Sequence, residues 1–142
     1  MNIEIIRLRH SRYAIDGILR ISDLKVCDTA ENINFHLAPG TYPIRIITCK
    51  QYRRKMPCII INEPDCSHCK KLGSLSCNRA LPKVCPQIKI GNGVNKREDG
   101  SIIIGERITS GAIAHPAPYF NRLIDRLDKA ANRNEPITLT IR

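Results

Sequence analysis

Cys85-Pro86-Gln87-Ile88-Lys89-Ile90-Gly91-Asn92-Gly93-Val94-Asn95-Lys96-Arg97-Glu98-Asp99-Gly100-Ser101-Ile102-Ile103-Ile104-Gly105 is the stretch on which the fold turns. Gln87 to Ile90 reads as a short strand running into Gly91-Asn92-Gly93, and Asn-Gly readily supplies the positive φ angles of a tight turn. Asp99-Gly100 repeats the signal and leads into Ser101 to Gly105, a β-branched run that reads as a buried strand. Two strands are thus expected to meet around a basic, Gly-rich loop. A sheet that positions a loop in this way is a common setting for binding or chemistry.

Outward from this stretch the periodicity is mostly that of strands. Ile3, Ile5 and Leu8 alternate with polar residues in an opening strand through about Arg9. Asp16-Gly17 reads as a turn into Ile18 to Ile21, followed by a short strand near Leu24 to Asp28, together a β-meander. After the turn signal Pro39-Gly40, Tyr42 to Cys49 is β-rich, and Pro43 points to an edge or a strand start. Cys58 to Ile61 is a further buried-strand candidate. Residues 62–86 lack a clean period and read as an irregular excursion. From Pro118, Phe120, Leu123, Ile124 and Leu127 recur at i, i+3, i+4 and i+7, with Ala130 and Ala131 continuing an amphipathic helix to about Asn132–Asn134. Asp125 and Lys129 have the spacing of a helical ion pair. Ile137, Leu139 and Ile141 then alternate with polar residues in a last strand. The expectation is one β-rich α+β domain over residues 1–142, mostly antiparallel, with one C-terminal helix and a terminal strand.

A chain of 142 residues with 42% hydrophobic residues suits one packed core. It contains no apolar run near the roughly 18–20 residues of a membrane-spanning helix. The opening residues Met1 to Arg7 carry an early acid and no cleavage-site pattern, which favours a cytoplasmic protein, or one carried on a particle or released by lysis. The net charge of +10 is concentrated: residues 50–97 hold eleven Lys/Arg against two Asp/Glu. Such a block suits a polyanion, whether nucleic acid, an anionic cell-wall polymer or an acidic partner, against the plainer reading of a solvated basic loop. Tyr52 is the lone aromatic there, which argues against a base-stacking platform.

The seven cysteines are Cys27, Cys49, Cys58, Cys66, Cys69, Cys77 and Cys85. Cys66-Ser67-His68-Cys69 has the spacing of half a structural zinc site, and Cys77 and Cys85 could complete a tetrahedral set. Disulfides and free thiols are the competing readings, and an odd count leaves at least one cysteine unpaired in any disulfide scheme. Cys27 and Cys49 fall on expected strands, as core residues do.

Gly17-Ile18-Leu19, Cys27-Asp28-Thr29-Ala30-Glu31 and Leu37-Ala38-Pro39-Gly40-Thr41-Tyr42-Pro43-Ile44, followed by the 85–105 stretch, resemble a small domain-of-unknown-function family of bacteria and their phages. Members of that family show an Ile-His-x-Gly-Asn motif and an Asp-x-x-Gly-Cys motif, similar to a reduced L,D-transpeptidase active site. The resemblance implies a cysteine nucleophile activated by histidine and acting on peptidoglycan stem peptides. Gly91 and Asn92 match the first motif, and Asp99, Gly100 and Gly105 approximately match the second, marking Gly91, Asn92, Asp99 and Gly100 as ligand-binding candidates. Lys89 stands where the histidine is expected and Ser101 where the cysteine is expected. A serine hydroxyl needs a base to take its proton, and a lysine of ordinary pKa is protonated at neutral pH.

Three functions are therefore expected to compete. One is a non-catalytic, phage- or prophage-associated domain on an L,D-transpeptidase-like scaffold that binds a cell-wall or other polyanionic ligand. Another is an acyl-transfer or amidase-type enzyme using Ser101 with Lys89 as its catalytic pair, since Ser-Lys variants of nucleophilic catalysis exist. The third is a nucleic-acid-binding module stabilised by structural zinc on Cys66, Cys69, Cys77 and Cys85.

Overall fold

The computed structural model describes residues 1–49, 53–61, 86–94 and 100–142. Among these residues the elements are β1 (Asn2–His10), β2 (Ala14–Ile21), β3 (Leu24–Asn32), β4 (Gly40–Cys49), β5 (Arg54–Ile59), β6 (Ile88–Lys89), β7 (Ile102–Thr109), β8 (Ala112–Ala114), α1 (Pro116–Asn132) and β9 (Thr138–Ile141). The strands follow one another in the order β5-β4-β9-β1-β2-β3-β7-β6, with β8 added to the second half of β7. Its two ends come back together where Cys58 bridges Gln87 and the Ile59 N–H donates to the Pro86 carbonyl at 2.8 Å, so the sheet is nearly closed. The fold is β-rich with one C-terminal helix and a terminal strand, as expected from the periodicity. It is mixed: β9 runs parallel to β1, and β6 runs parallel to β7.

One apolar core collects side chains from every strand except β8 and from the inner face of α1. Strand alternation explains most of it: Ile3 and Ile5 of β1, Leu19 and Ile21 of β2, and Leu139 and Ile141 of β9 all point inward. The expected helical stripe is present, with Phe120, Leu123, Ile124, Leu127 and Ala130 buried. Each of its large side chains contributes about 1.5–3 kcal/mol by leaving water. The helix begins two residues earlier than expected, with Pro116 in the first turn, where the missing N–H costs nothing. At its other end Asn134 takes a left-handed conformation, and the Asn134 and Glu135 N–H groups donate to the Ala131 and Ala130 carbonyls, both at 3.0 Å. This Schellman-type stop satisfies carbonyls that the last turn would otherwise orphan. Among the described residues the helix makes no Asp125–Lys129 pair; Asp128 instead takes Lys55 of β5 at 2.9 Å. Arg54 lies 4.5 Å over the Phe120 ring and donates to Asn121 Oδ1 at 2.8 Å. Two cations of the basic middle third thus clamp α1 to β5.

Three local expectations are corrected. Asp16-Gly17 is not a turn but the middle of β2. The β2–β3 turn is Ser22-Asp23, both at positive φ between the paired residues Ile21 and Leu24, as a two-residue I′ hairpin requires. Pro43 is not on an edge: it pairs with Thr138 where β4 passes from β9 to β5, so its lack of an N–H falls at a change of partner. Asn92-Gly93 is not the expected tight turn but part of a segment that bridges β8 through Gly93 and Ala112. Neither Gly91 nor Gly93 has a positive φ, whereas Gly100 does, at 83°.

Candidate functional site

The site expected from the 85–105 stretch is built on the β6–β7 pair. Ile88 pairs with Ile102 and Lys89 with Ile103. Ile88, Ile102 and Ile104 belong to the main core, while Ile103 faces the other way into a smaller cluster with Ala14, Ala30, Val94 and Ile113. The register puts Lys89 on the same side as Ile103. The fold therefore places Lys89 in β6 and Ser101 immediately before β7, beside Gln87. Both are buried: Ser101 is 0% exposed and Lys89 8%.

Ser101 is tied into the ladder. Its Oγ accepts the Gln87 backbone N–H at 3.0 Å, while the Ile102 N–H donates to the Gln87 carbonyl at 2.9 Å. The hydroxyl extends the hydrogen bonding of the parallel pair by one rung, beside the point where the sheet closes. Gln87, 3% exposed, has no hydrogen-bond partner for its Oε1 among the described residues. A buried acceptor left in this way costs free energy unless a donor reaches it. Gly100, immediately before Ser101, owes its identity to backbone conformation: a Cβ there would be 3.5 Å from both Leu37 Cδ2 and Pro86 Cγ, ordinary contact, but its φ disfavours any side chain.

Gly91 and Asn92 are not gathered around Ser101. The Asn92 carbonyl accepts the Ile113 N–H at 2.9 Å and Gly93 bridges Ala112, so this segment docks on β8. Asn92 itself is exposed and Gly91 buried. Asp99, with Cys66, Cys69, Cys77 and Cys85, lies outside the described residues, as does most of the 62–86 excursion. Among the described residues no group of three or more His, Cys, Asp or Glu could hold a metal.

Two groups around the site were not singled out from sequence. Arg7 and Glu31 form a buried bidentate pair, with Nε to Oε2 at 3.0 Å and Nη2 to Oε1 at 2.7 Å. Arg7 Nη2 also donates to the Leu37 carbonyl at 2.7 Å, fixing the residue that packs beside Gly100. A chain of contacts thus runs from the interior to the rim of Ser101. Asn32, also buried, donates from Nδ2 to the Val94 carbonyl at 2.9 Å and accepts the Asn34 N–H on Oδ1 at 2.8 Å, joining the loops on both sides. The available signal was parity: Glu31 falls at the same inward alternation as Cys27 and Thr29, and an inward carboxylate requires a partner.

Cys27 offers no reactive thiol. Burial, reinforced by the neighbouring Asp28 carboxylate, pushes the Cys27 thiol up to about 12, which leaves it protonated and unreactive at neutral pH. Cys27 and Cys58 are both buried, in line with the expected core role of Cys27; Cys49 closes β4. Comparison of the chain with models of protein families, with curated proteins and with solved structures finds no match in any of the three.

Proposed function

We propose that this chain is a non-catalytic, phage- or prophage-associated binding domain on an L,D-transpeptidase-like scaffold, and that its ligand is a cell-wall polymer or another polyanion. The observation that carries the reading is Ser101: the residue standing where the family has its nucleophile is completely buried and spends its Oγ on the Gln87 N–H. A hydroxyl in that role supports the sheet, and an attacking oxygen would have to leave it. The excess of eleven Lys/Arg over two Asp/Glu in residues 50–97 supports an anionic ligand, since electrostatic focusing raises local polyanion concentration. Structural zinc on Cys66, Cys69, Cys77 and Cys85 belongs to the same proposal, and metal analysis of protein purified without added metal tests it, with one zinc per chain expected.

One observation favours a second reading, acyl transfer by Ser101 with Lys89: Lys89 pairs with Ile103, two residues after Ser101. A single experiment separates the readings. The protein is incubated with a β-lactam and with a peptide thioester, and intact mass is recorded. In parallel it is co-sedimented with purified peptidoglycan carrying its anionic polymer, over a salt series. The binding reading expects no adduct and sedimentation that falls steeply with salt. A stoichiometric adduct lost in Ser101→Ala would establish the enzyme instead, and salt-independent or absent sedimentation would reject the anionic ligand.

A further inference from the structure

On the side of the molecule formed by the β2–β3 hairpin and α1, a groove of about 300 Å³ opens beside the Ser22-Asp23 turn. Leu24, Val26 and Leu123 give it apolar walls, and Lys25, Arg122 and Arg126 supply its charge. Leu24 is 71% exposed, the largest exposure among the described large hydrophobic side chains. No acid lines the groove among the described residues. Lys25 is neutralised locally by Asp28 at 2.9 Å, and Arg122 stacks 5.0 Å over the Tyr119 ring. Neither Arg122 nor Arg126 has an ion pair among the described residues, although the protein contains Asp23 and Asp125 within three residues of the groove.

An apolar floor beside two uncompensated guanidinium groups one helical turn apart is complementary to an amphipathic anion. Side chains at i and i+4 on a helix lie about 5–6 Å apart at Cβ, so Arg122 and Arg126 match carboxylates with the same spacing on a second helix. A leucine at i+3 of that helix would fall on the same face, over Leu24. We infer that this groove is a docking site for an acidic amphipathic helix of a partner protein, with an apolar residue between Leu24, Val26 and Leu123 and carboxylates on Arg122 and Arg126. Arginine suits the role because its planar fork binds carboxylate bidentately. The site is separate from the β6–β7 face and does not depend on what binds there.

The probe is a fluorescein-labelled, 16-residue alanine-based helical peptide carrying Glu pairs four residues apart with Leu at the intervening i+3 position. Its anisotropy is measured on titration with the whole chain at low salt, beside a peptide of the same composition in scrambled order. Binding of the ordered peptide at least tenfold tighter than the scrambled one is expected. Arg122→Glu with Arg126→Glu should abolish that preference, and Leu24→Ser should weaken it severalfold. All three positions are exposed or half-exposed at the surface, and circular dichroism checks that the variants fold. Equal binding of the two peptides, an unchanged preference in the double variant, or no binding by the wild-type chain would each overturn the assignment.

Discussion

Glu31 is 1% exposed and Arg7 6% at the side chain, so each has little access to water in place of the other. Breaking such a pair from one side leaves a buried charge, at a cost of about 3–5 kcal/mol. Glu31→Ala is therefore expected to lower the urea midpoint sharply and to free the Leu37 loop, while Arg7→Met combined with Glu31→Leu should recover most of the loss. A double variant as unstable as Glu31→Ala would show that the ion pair itself, and not the stranded charge, sets the cost. Asp28 gives a pH-dependent counterpart. Burial opposes its ionisation, but the Arg107 N–H at 2.8 Å and the Lys25 ammonium outweigh it and hold the carboxyl below its ordinary range. A depressed folded pKa contributes stability that is complete above the unfolded value, about 3.9, and is lost as pH falls through the folded value. Asp28→Asn should consequently be less stable at neutral pH and lose less stability below about pH 4, as read from urea midpoints across pH. An acid limb parallel to that of the wild type would contradict this.

The strands and the helix show where local pattern was sufficient and where it was not. Ile102 to Ile104, the α1 stripe and the alternation in β9 were legible because each reports a period within its own element. Asp16-Gly17 misled because a glycine answers two different needs, backbone freedom and absence of a Cβ, and the dipeptide does not say which. Here it is the second. A Cβ on Gly17 would lie 2.6 Å from the Ile6 carbonyl oxygen of β1 and 2.9 Å from Thr29 Oγ1 of β3. Gly17→Ala is expected to push β1 and β2 apart at the cost of an overpacked core, about 1–3 kcal/mol. Thermal unfolding measures this, and a melting temperature unchanged from the wild type would show that the ladder yields without strain. The site was half legible for a related reason. Sequence named Lys89 and Ser101, but the parallel pairing that sets their relation, Lys89 beside Ile103, is not carried by any local signal. Arg7 and Glu31 are 24 residues apart and joined only by the fold.

At the scale of the molecule, the sheet depends on how well it closes. β5 is held to β4 by register pairs from Ile44–Ile59 through Cys49–Arg54, and β1 to β2 over nearly their full lengths. Among the described residues the β5–β6 seam has the Cys58–Gln87 bridge and the Ile59-to-Pro86 hydrogen bond. Free energy of opening varies across a fold with the number of contacts that must break together, so the seam should open below the global transition. Ser101 bears on this directly, because its Oγ holds the N–H of Gln87, the residue that makes the bridge. Removing it strands a buried donor, at about 1–3 kcal/mol. In hydrogen exchange followed by NMR, the Ile59 amide is expected to exchange at least tenfold faster than Leu19 in the wild type. Ser101→Ala should accelerate Ile59 by a further tenfold or more, in keeping with 1.4 kcal/mol per decade, and should leave the difference between Leu19 and the global transition unchanged. If Ile59 and Leu19 exchange together in both proteins, the seam is no weaker than the rest of the sheet. If Ser101→Ala leaves Ile59 unmoved, the hydroxyl is not a structural rung, and the case for a catalytic Ser101 strengthens accordingly.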